Sequence, residues 1–597
     1  MRPYAAFLHE VGLFPTCLPA PVWSGTGGRP QKTVSLARRG RDGDPRGMIV
    51  VGAHGMVKSF GGRRILDGLE LEVDERARIG IIGANGSGKS TLLRILAGLE
   101  DADDGEVARR KDAVIAYLPQ QVPGDERTAL QTVHAARPDL EALEGELGDV
   151  AARLADPAVA QDLDLMTRVL RRQERLLDEF TAAGGPGFEG RARAHLLELG
   201  LAEQDLSTPT TQLSGGQRKL VALAECLARS PAVLLLDEPE THLDADRRAA
   251  LEERIQAFPG AVVSVSHDRY LLDETVSTIA ELDRGRIRLW PGNYSAYVVS
   301  RELEQRRQQQ QYVTQQKEIA RLEEAIKRFE QWARQVVNER HIKQARNKQR
   351  QIDRMDKIER PVLERHKIAL SLRPQTRGGE RIVELTDVTV AFGDDPILAD
   401  VDLTVIRGER VGVVGGNGAG KTVLVKTIVG ELEPTEGEVR RGSGIRVGYL
   451  AQDAELPTPE RSPIDIVRLS QPMSEGEAVS RLMKFLFDYE QVRRPAKLLS
   501  GGERTRLQLL LLMLGGANFL VLDEPTNHLD LESVERLEAA IEEFDGTVIF
   551  VSHDRYFLDR IADRIVEVRD GEVHAYEGGW SYWRERTANR SALAGAT

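Results

Sequence analysis

Two lysines, each inside a glycine-rich octapeptide, are the first residues whose setting could do chemistry. "GANGSGKS" (83–90) and "GGNGAGKT" (415–422) both fit the pattern G-x-x-x-x-G-K-[ST]. Glycines in such a loop let backbone N–H groups face a phosphate chain, and the helix that follows adds the positive end of its dipole. Lys89 and Lys421 are placed to reach the β- and γ-phosphates, and the hydroxyls of Ser90 and Thr422 can ligate Mg2+. The expected phosphate cradle is Gly83, Asn85, Gly86, Gly88, Lys89, Ser90 and Thr91 in the first half. In the second half it is Gly415, Asn417, Gly418, Gly420, Lys421 and Thr422. Each loop follows an apolar strand, "ARIGII" or "RVGVV", and precedes a helical pattern, "TLLRILAGL" or "VLVKTIVGEL". That context is what distinguishes a working loop from a chance match.

Paired acids supply the second half of the chemistry. "AVLLLDEP" (232–239) and "FLVLDEP" (519–525) read as buried strands ending in Asp237–Glu238 and Asp523–Glu524. Adjacent acids at a strand end can divide their roles. Asp237 and Asp523 face Mg2+, while Glu238 and Glu524 orient or deprotonate the attacking water. His267 and His553, each in "VSHDRY", follow predicted strands 30 positions after the paired aspartates. A lone histidine is usually a satisfied structural residue, but the matched spacing favours contact with the γ-phosphate.

The matched spacing runs through the whole chain, so an internal duplication organises it. Phe60 to Lys89 and Phe392 to Lys421 are both 29 positions, and Lys89 to Gln120 and Lys421 to Gln452 both 31. "LSGGQ" (213–217) and "LSGGE" (499–503) each precede the paired acids by the same interval, Ser214 to Asp237 and Ser500 to Asp523 being 23. One interval differs: Gln120 to Ser214 is 94 and Gln452 to Ser500 is 48, a surplus of 46 in the first half. The insert is placed at about 125–195 and carries helical spacing in "PDLEALEGELGDVAARLAD" and "LDLMTRVLRRQERLLDEF". It reads as two antiparallel helices, either projecting from the first half or packed on its surface.

These motifs resemble the ATP-binding cassette superfamily over both halves. The resemblance implies an α/β fold with two P-loop cassettes and ATP with Mg2+ as the cofactors. It places Gln120 in "YLPQ" and Gln452 in "YLAQ" beside the Mg2+ and the attacking water. It also places Phe60 and Phe392 on the adenine. Each "LSGG" stretch then caps the nucleotide held by the opposite cassette. Ser500, Gly501, Gly502 and Glu503 complete the site of Lys89, and Ser214, Gly215, Gly216 and Gln217 that of Lys421. ATP binding joins the halves and hydrolysis releases them, a two-state switch. One departure stands out: the second half reads "DEPTNHLD" (523–530) and the first "DEPETHLD" (237–244), which makes the two sites unequal.

Composition narrows the class. The chain has 597 residues, a formal net charge of −12 and two cysteines, Cys17 and Cys226. That count argues against a disulfide framework, zinc fingers or an iron–sulfur cluster and suits a reducing cytoplasm. No apolar run approaches the ~20 residues needed to span a bilayer. Residues 1–47, rich in Pro, Gly and Arg, read as a disordered extension or an upstream start in place of Met48.

Between the halves, residues 297–375 form a charged, Gln-rich segment. Tyr312, Ile319, Leu322, Ile326, Phe329 and Val336 recur at three-four spacing, and Ile342, Ala345, Ile352, Met355, Ile358 and Val362 form a second series. The pattern predicts a coiled-coil hairpin whose first helix, of ~37 residues, is about 55 Å long. Residues 331–350 hold six Lys or Arg and one acid. A basic tip on an acidic chain fits a phosphate-rich partner, with Arg334, Arg340, His341, Lys343, Arg346, Lys348 and Arg350 as contacts. Trp332 and His341 could stack on bases or ribose. The alternative is a solvated tip.

A pair of cassettes joined by such a linker resembles the ABC-F family. The resemblance implies a cytoplasmic ATPase that binds the ribosome when closed on ATP. It would act through the linker on transfer RNA and ribosomal RNA near the peptidyl-transferase centre, as a translation factor or in antibiotic resistance. Expected domains are cassette 1 at 48–296, the linker at 297–375 with its tip at 331–350, cassette 2 at 376–585 and a tail at 586–597. The chain is expected to act as a monomer. The competing classes are an energy-coupling subunit of a drug exporter and a DNA-binding cassette ATPase.

Overall fold

Short, wholly buried strands lie at the centre of each half. The computed structural model describes residues 48–597 apart from 158, 160–161, 336–338, 356–378, 394, 453–455, 457, 486, 528 and 595–597; for 332–335, 339–342 and 588–594 it describes the backbone alone.

The first-half strands are β1 (Ile49–Phe60), β2 (Arg63–Asp74), β3 (Arg78–Ile82), β4 (Asp104–Arg109), β5 (Ile115–Leu118), β6 (Val233–Asp237), β7 (Ala261–Val265), β8 (Thr278–Asp283) and β9 (Arg286–Pro291). They form a three-stranded antiparallel sheet, β2-β1-β4, and a six-stranded sheet, β5-β6-β7-β3-β8-β9, parallel except for β9. The second half adds β10 (Arg381–Phe392), β11 (Asp395–Ile406), β12 (Arg410–Val414), β13 (Glu436–Arg441), β14 (Val447–Leu450), β15 (Phe519–Asp523), β16 (Thr547–Val551), β17 (Arg564–Arg569) and β18 (Glu572–Glu577). Their orders, β11-β10-β13 and β14-β15-β16-β12-β17-β18, repeat the first half strand for strand.

The central strands β6, β7, β15 and β16 are buried at every residue, as parallel strands covered on both faces must be. On one face Leu71, Ile81, Leu92 and Val263 pack between the two sheets, and Leu403, Val413, Leu424 and Ile549 do so in the second half. On the other face the helices Gly215–Ala228 and Gly501–Leu514 close a second core in each half.

The first-half insert forms helices Pro138–Leu154 and Leu163–Ala182, packed on each other. Proline at N1 starts the former, and the Asp162 carboxylate caps the latter by accepting from the N–H of Asp164 and Leu165, both at 3.0 Å. Of their described residues only Leu140, Val150 and Leu176 are buried.

The linker opens with the helix Tyr294–Gln335, 42 residues, which at ~1.5 Å per residue is about 63 Å long. It starts three residues before the expected boundary because side chains fix its first turn. The Asn293 Oδ1 accepts from Ala296 N at 3.2 Å, and Asp273 takes the N–H and O–H of Ser295 at 2.7 and 2.6 Å. It packs against the helix Glu339–Asp353. Leu322, Ala345 and Ile352 are buried, and Tyr312, Ile319, Ile326, Phe329 and Met355 half-buried. Val336, Ile358, Val362 and the side chain of Ile342 lie outside the described residues. No described helix is long and apolar enough to cross a membrane.

The root of the linker is tied to both halves. Tyr294 and Tyr297 are each 3% exposed. The Tyr297 hydroxyl donates to Glu281 of the first half, and that of Tyr294 to Glu535 of the second, both at 2.9 Å.

Candidate functional site

Each glycine-rich loop leaves a strand end and turns straight into a helix, after β3 into Lys89–Ala97 and after β12 into Lys421–Val429. Gly83 and Gly415 both have φ +153°, and a Cβ on Gly83 would lie 2.5 Å from the Leu282 carbonyl oxygen, so no other residue fits that turn. The Lys89 ammonium donates to the carbonyls of Gly83 (2.7 Å) and Ala84 (3.1 Å), and Lys421 to those of Gly415 (2.9 Å) and Gly416 (2.8 Å). Burial lowers the pKa of both lysines, against the raising effect of Glu238, Asp530 and Asp237 around Lys89 and of Glu524, Asp244 and Asp523 around Lys421.

The paired acids sit beside these loops. The Ser90 hydroxyl donates to Asp237 Oδ1 at 3.2 Å and that of Tyr117 to Oδ2 at 3.1 Å. Burial raises the pKa of Asp237 and of Asp523 from its ordinary value. Both oxygens of Asp523 are buried without a hydrogen-bond partner among the described residues. Hydroxyl and carboxylate oxygens of this kind suit Mg2+, a hard cation that one or two protein oxygens can hold together with phosphate.

Glu238 and Glu524 have φ of +48° and +52°, the left-handed region that a side-chain-bearing residue enters only where the surroundings impose it. Their N–H groups are tied to the carbonyls of Val265 (2.8 Å) and Val551 (3.0 Å), which turns the side chains off the strand line. Glu238 Oε2 accepts from Gln120 Nε2 at 2.9 Å, and its Oε1 lies 3.8 Å from His267 Nε2. Glu524 Oε1 lies 3.2 Å from His553 Nε2. Burial raises Glu524 to about 7, opposed by Lys421 and Arg248. Burial and then Lys89 push His267 down to about 3, and burial, Lys421 and Arg248 push His553 down as well, so both imidazoles are neutral near pH 7.

Around these groups lie two cavities. The first, about 650 Å³, is lined by Phe60, Asn85, Gly86, Gly88, Lys89, Ser90, Thr91, Gln120, Glu238 and His267, with Gly501 and Gln452 from the other half. The second, about 480 Å³, is lined by Phe392, Asn417, Gly418, Gly420, Lys421, Thr422, Gln452, Asp523, Glu524 and His553. Phe60 and Phe392 are about half exposed at the rims. Gly83 and Gly415 support the loops from behind without lining the cavities.

The "LSGG" stretches behave differently at the two cavities. Ser214 and Ser500 each cap their own helix, accepting from the N–H of Gln217 (3.2 Å) and Glu503 (3.3 Å) in a capping box. Gly501 reaches the first cavity. Ser214, Gly215, Gly216 and Gln217 do not line the second, where His242, Leu243 and Arg248 stand instead. Ser500, Gly502 and Glu503 lie back from the first, Glu503 being held by Gln491 at 2.6 Å and Arg494 at 2.9 Å.

The halves also meet through residues within and beside these motifs. Asp530 Oδ2 accepts from Asn85 N at 3.1 Å, and the His242 carbonyl from Asn417 Nδ2 at 3.2 Å. Burial alone would raise Asp530, but hydrogen bonds from Ser533 and Asn85 hold it below its ordinary value. Arg269 is buried against Glu538, and Arg555 pairs with Glu252 at 2.8 Å. From Ser214 onward counterparts in the halves lie 286 positions apart, as Asp237 and Asp523 do, and among the described residues of that stretch three buried charged residues of the first half differ in type from their counterparts. Lys219 replaces the type of Thr505, Glu240 that of Thr526, and Arg248 that of Val534. Lys219 is buried, and its ammonium donates to the carbonyls of Gln120 (3.1 Å) and Glu238 and to the Thr241 hydroxyl. Glu240 Oε1 accepts from Ser266 Oγ (2.7 Å), His267 N (2.9 Å) and Asp268 N (3.3 Å); in the second half the hydroxyls of Thr526 and Ser552 meet at 3.1 Å. The Glu240 departure was visible in the sequence; Lys219 and Arg248 are two among many differences between the halves, and burial is what singles them out.

On the linker, Lys343, Arg346 and Arg350 are exposed and Lys348 half-buried, its ammonium 3.5 Å from Gln351 Oε1. The side chains of Trp332, Arg334, Arg340 and His341 lie outside the described residues.

A family model described as "ABC transporter" matches residues 66–241 and 398–527, and a companion model of the same description matches 280–371. The chain is 36% identical over 548 residues to the ATP-binding protein YdiF of Bacillus subtilis, covering 92% of this chain and 84% of that one. It is 34% identical over 547 residues to the energy-dependent translational throttle protein EttA of Escherichia coli, covering 89% and 95%. Two solved structures share the fold at 20% identity. The RNase-L inhibitor has a TM-score of 0.57, and the archaeal ribosome recycling factor in complex with a ribosomal stalk protein has 0.58; each match covers 90% of this chain and 92% of the other. The duplicated cassettes, the linker between them and relatives at this identity along nearly the full length make this chain a member of the ABC-F family.

Proposed function

We propose that the chain is an ATPase that binds the ribosome in its ATP-bound, closed form and acts there in translation through its linker. The observation that carries this is the pair of catalytic sets facing each other within one chain, with the linker rooted in both halves. Lys89 and Lys421 hold the β- and γ-phosphates on the loop N–H groups. Ser90 with Asp237, and Thr422 with Asp523, are the residues that would hold Mg2+, with Gln120 and Gln452 as further candidate ligands. The ion supplies charge neutralisation on the phosphates. Glu238 and Glu524 take up the proton of the attacking water or orient it, each next to a neutral histidine placed to donate to the γ-phosphate. Both sites form between cassettes 48–296 and 376–585, so a monomer is complete.

The exposed lysine and arginines of 343–350 give the linker a phosphate-seeking face, with ribosomal or transfer RNA as the partner. A relative named for throttling translation, covering 89% of this chain, favours translation over drug export or drug resistance.

The test uses the full chain carrying both Glu238→Gln and Glu524→Gln, which retain ATP without turnover. With ATP it is expected to co-sediment with ribosomes, and deletion of 325–350 is expected to weaken that binding while ATPase of the otherwise wild-type chain persists. A trapped form that leaves ribosomes in the pellet without it overturns the reading.

A further inference from the structure

Arg248 lines both cavities. It sits on the helix Ala245–Ala257, four residues after the capping Asp244, and is 9% exposed. Its Nε donates to the Leu243 carbonyl at 3.0 Å, which fixes the guanidinium on its own loop. Its Nη1 serves two partners in different halves: Asp268 Oδ2 at 3.2 Å and the His553 carbonyl at 2.9 Å. Asp268 is joined in turn to Glu240, whose Oε1 accepts its N–H and that of His267. At the other end the His553 ring lies 3.2 Å from Glu524. A continuous run, Glu240 to Asp268 to Arg248 to His553, thus connects the histidine loop of the first cavity with that of the second.

The run has no reverse copy among the described residues. Val534 occupies the position equivalent to Arg248 and has no side-chain donor, and Thr526 replaces Glu240 and meets Ser552 instead. Asp554, equivalent to Asp268, faces Arg269 at 3.4 Å. The charged residues that distinguish the first half at positions 240 and 248 are therefore the ones that build this connection.

We propose that Arg248 is a positioning residue through which occupancy of the first site sets the geometry of His553 and Glu524 in the second. A guanidinium is a rigid fork of donors. If nucleotide at the first site shifts the His267–Asp268 loop, Arg248 cannot keep both of its Nη1 partners unless the His553 loop moves too. Arg269 also spans these two loops, at Asp554, but Arg248 is the bridge that lines both cavities, and linkage makes the coupling assigned to it reciprocal for binding. The proposal rests on the reading of the two cavities as separate ATP-hydrolysing sites.

The experiment measures single-turnover hydrolysis at the second site of the full chain in two backgrounds. Glu238→Gln keeps the first site loaded with ATP, and Lys89→Ala keeps it from binding. With Arg248 present, the two backgrounds are expected to differ by about tenfold, within the usual ~5–150-fold range of allosteric coupling. Arg248→Met is expected to bring that ratio to near one, and Glu240→Thr, which loosens the run from its far end, to shrink it. A residue that merely supports the fold would lower both rates by one factor and leave the ratio intact, which overturns the proposal, as does a ratio near one with Arg248 in place. Should Arg248→Met fail to fold, the Glu240→Thr ratio decides. Adding Glu524→Gln to either background must abolish the measured hydrolysis; persistence of hydrolysis there instead defeats the two-site reading beneath the proposal.

Discussion

At the second cavity the Glu524 side chain is 8% exposed, lies 3.2 Å from His553, and has an Oε2 without a partner among the described residues. At the first, Glu238 is 17% exposed, lies 3.8 Å from His267, and has its Oε2 occupied by Gln120. Strand order, loop dihedrals and the left-handed glutamates are the same at both. The difference comes from a few side chains laid over a duplicated backbone, with Lys219, Glu240 and Arg248 all on the first half. Duplication carried the sheet and its phosphate loop into both halves, and the inequality lies in the residues between the loops.

The largest effect expected concerns the two glutamates. Removing a general base costs about 10²–10⁴-fold at its own site. Because Glu524 is the closer to its histidine and has the free oxygen, Glu524→Gln is expected to remove the larger share of total phosphate release and Glu238→Gln the smaller. Equal losses in steady-state assays would break the comparison.

The interface offers the next test. Arg269 and Glu538 are wholly buried, whereas Glu252, the partner of Arg555, keeps 12% exposure. Breaking a buried pair costs about 3–5 kcal/mol. Arg269→Ala is expected to fall in that range by denaturant unfolding, and Arg555→Ala below it.

A smaller effect separates Glu240 from Thr526. Burial and the neighbouring Asp268 raise the Glu240 carboxyl from its ordinary 4.5. An acid with a raised folded pKa contributes stability that is complete below the unfolded value and is lost as pH rises through the folded one. The melting temperature of the wild type relative to Glu240→Thr is therefore expected to fall as pH rises above about 4.5. A difference that holds constant with pH, or grows, would show that the carboxyl is not held in this way.

The smallest expected difference lies at the rims. Phe60→Ala and Phe392→Ala are each expected to weaken ATP binding by about 1 kcal/mol, the scale of one ring stacked on a base, and by the same amount at both sites. Unequal losses in nucleotide titrations would carry the asymmetry out to the rim.

Much of this was legible in the sequence because the signals are local. Apolar runs ended by glycine or acidic pairs read as strands meeting phosphate loops, and the matched intervals showed two copies of one cassette. The helical insert was legible from its spacing, and so was the linker, although its first turn begins at Tyr294 because Asn293 and Asp273 tie it there. Glu240 was visible as a departure, but its partners, the N–H groups of His267 and Asp268, come from another strand's loop. Arg248 lies in "DADRRAALEERIQAF", which reads as an ordinary solvated helix; its partners are the Leu243 carbonyl, Asp268 and the His553 carbonyl of the opposite half, and no spacing within one helix shows that. The expected symmetry of the "LSGG" stretches also depends on how the halves meet, and there Gly501 reaches a cavity while Ser214, Gly215 and Gly216 do not.

The helix that begins at Tyr294 has a mechanical consequence. Its first turn is pinned by one hydroxyl to Glu281 and by another to Glu535, on opposite sides of the seam that ATP would close. Its far end lies about 63 Å away. A tilt of about 5° at those two tyrosines carries that end by roughly 5 Å, more than the rise of one helical base step. Closure of the seam would thus turn the helix as a lever, with a short arm at the seam and a long arm toward the basic tip. Shortening the long arm would reduce the stroke in proportion and leave the catalytic sets at its pivot unchanged.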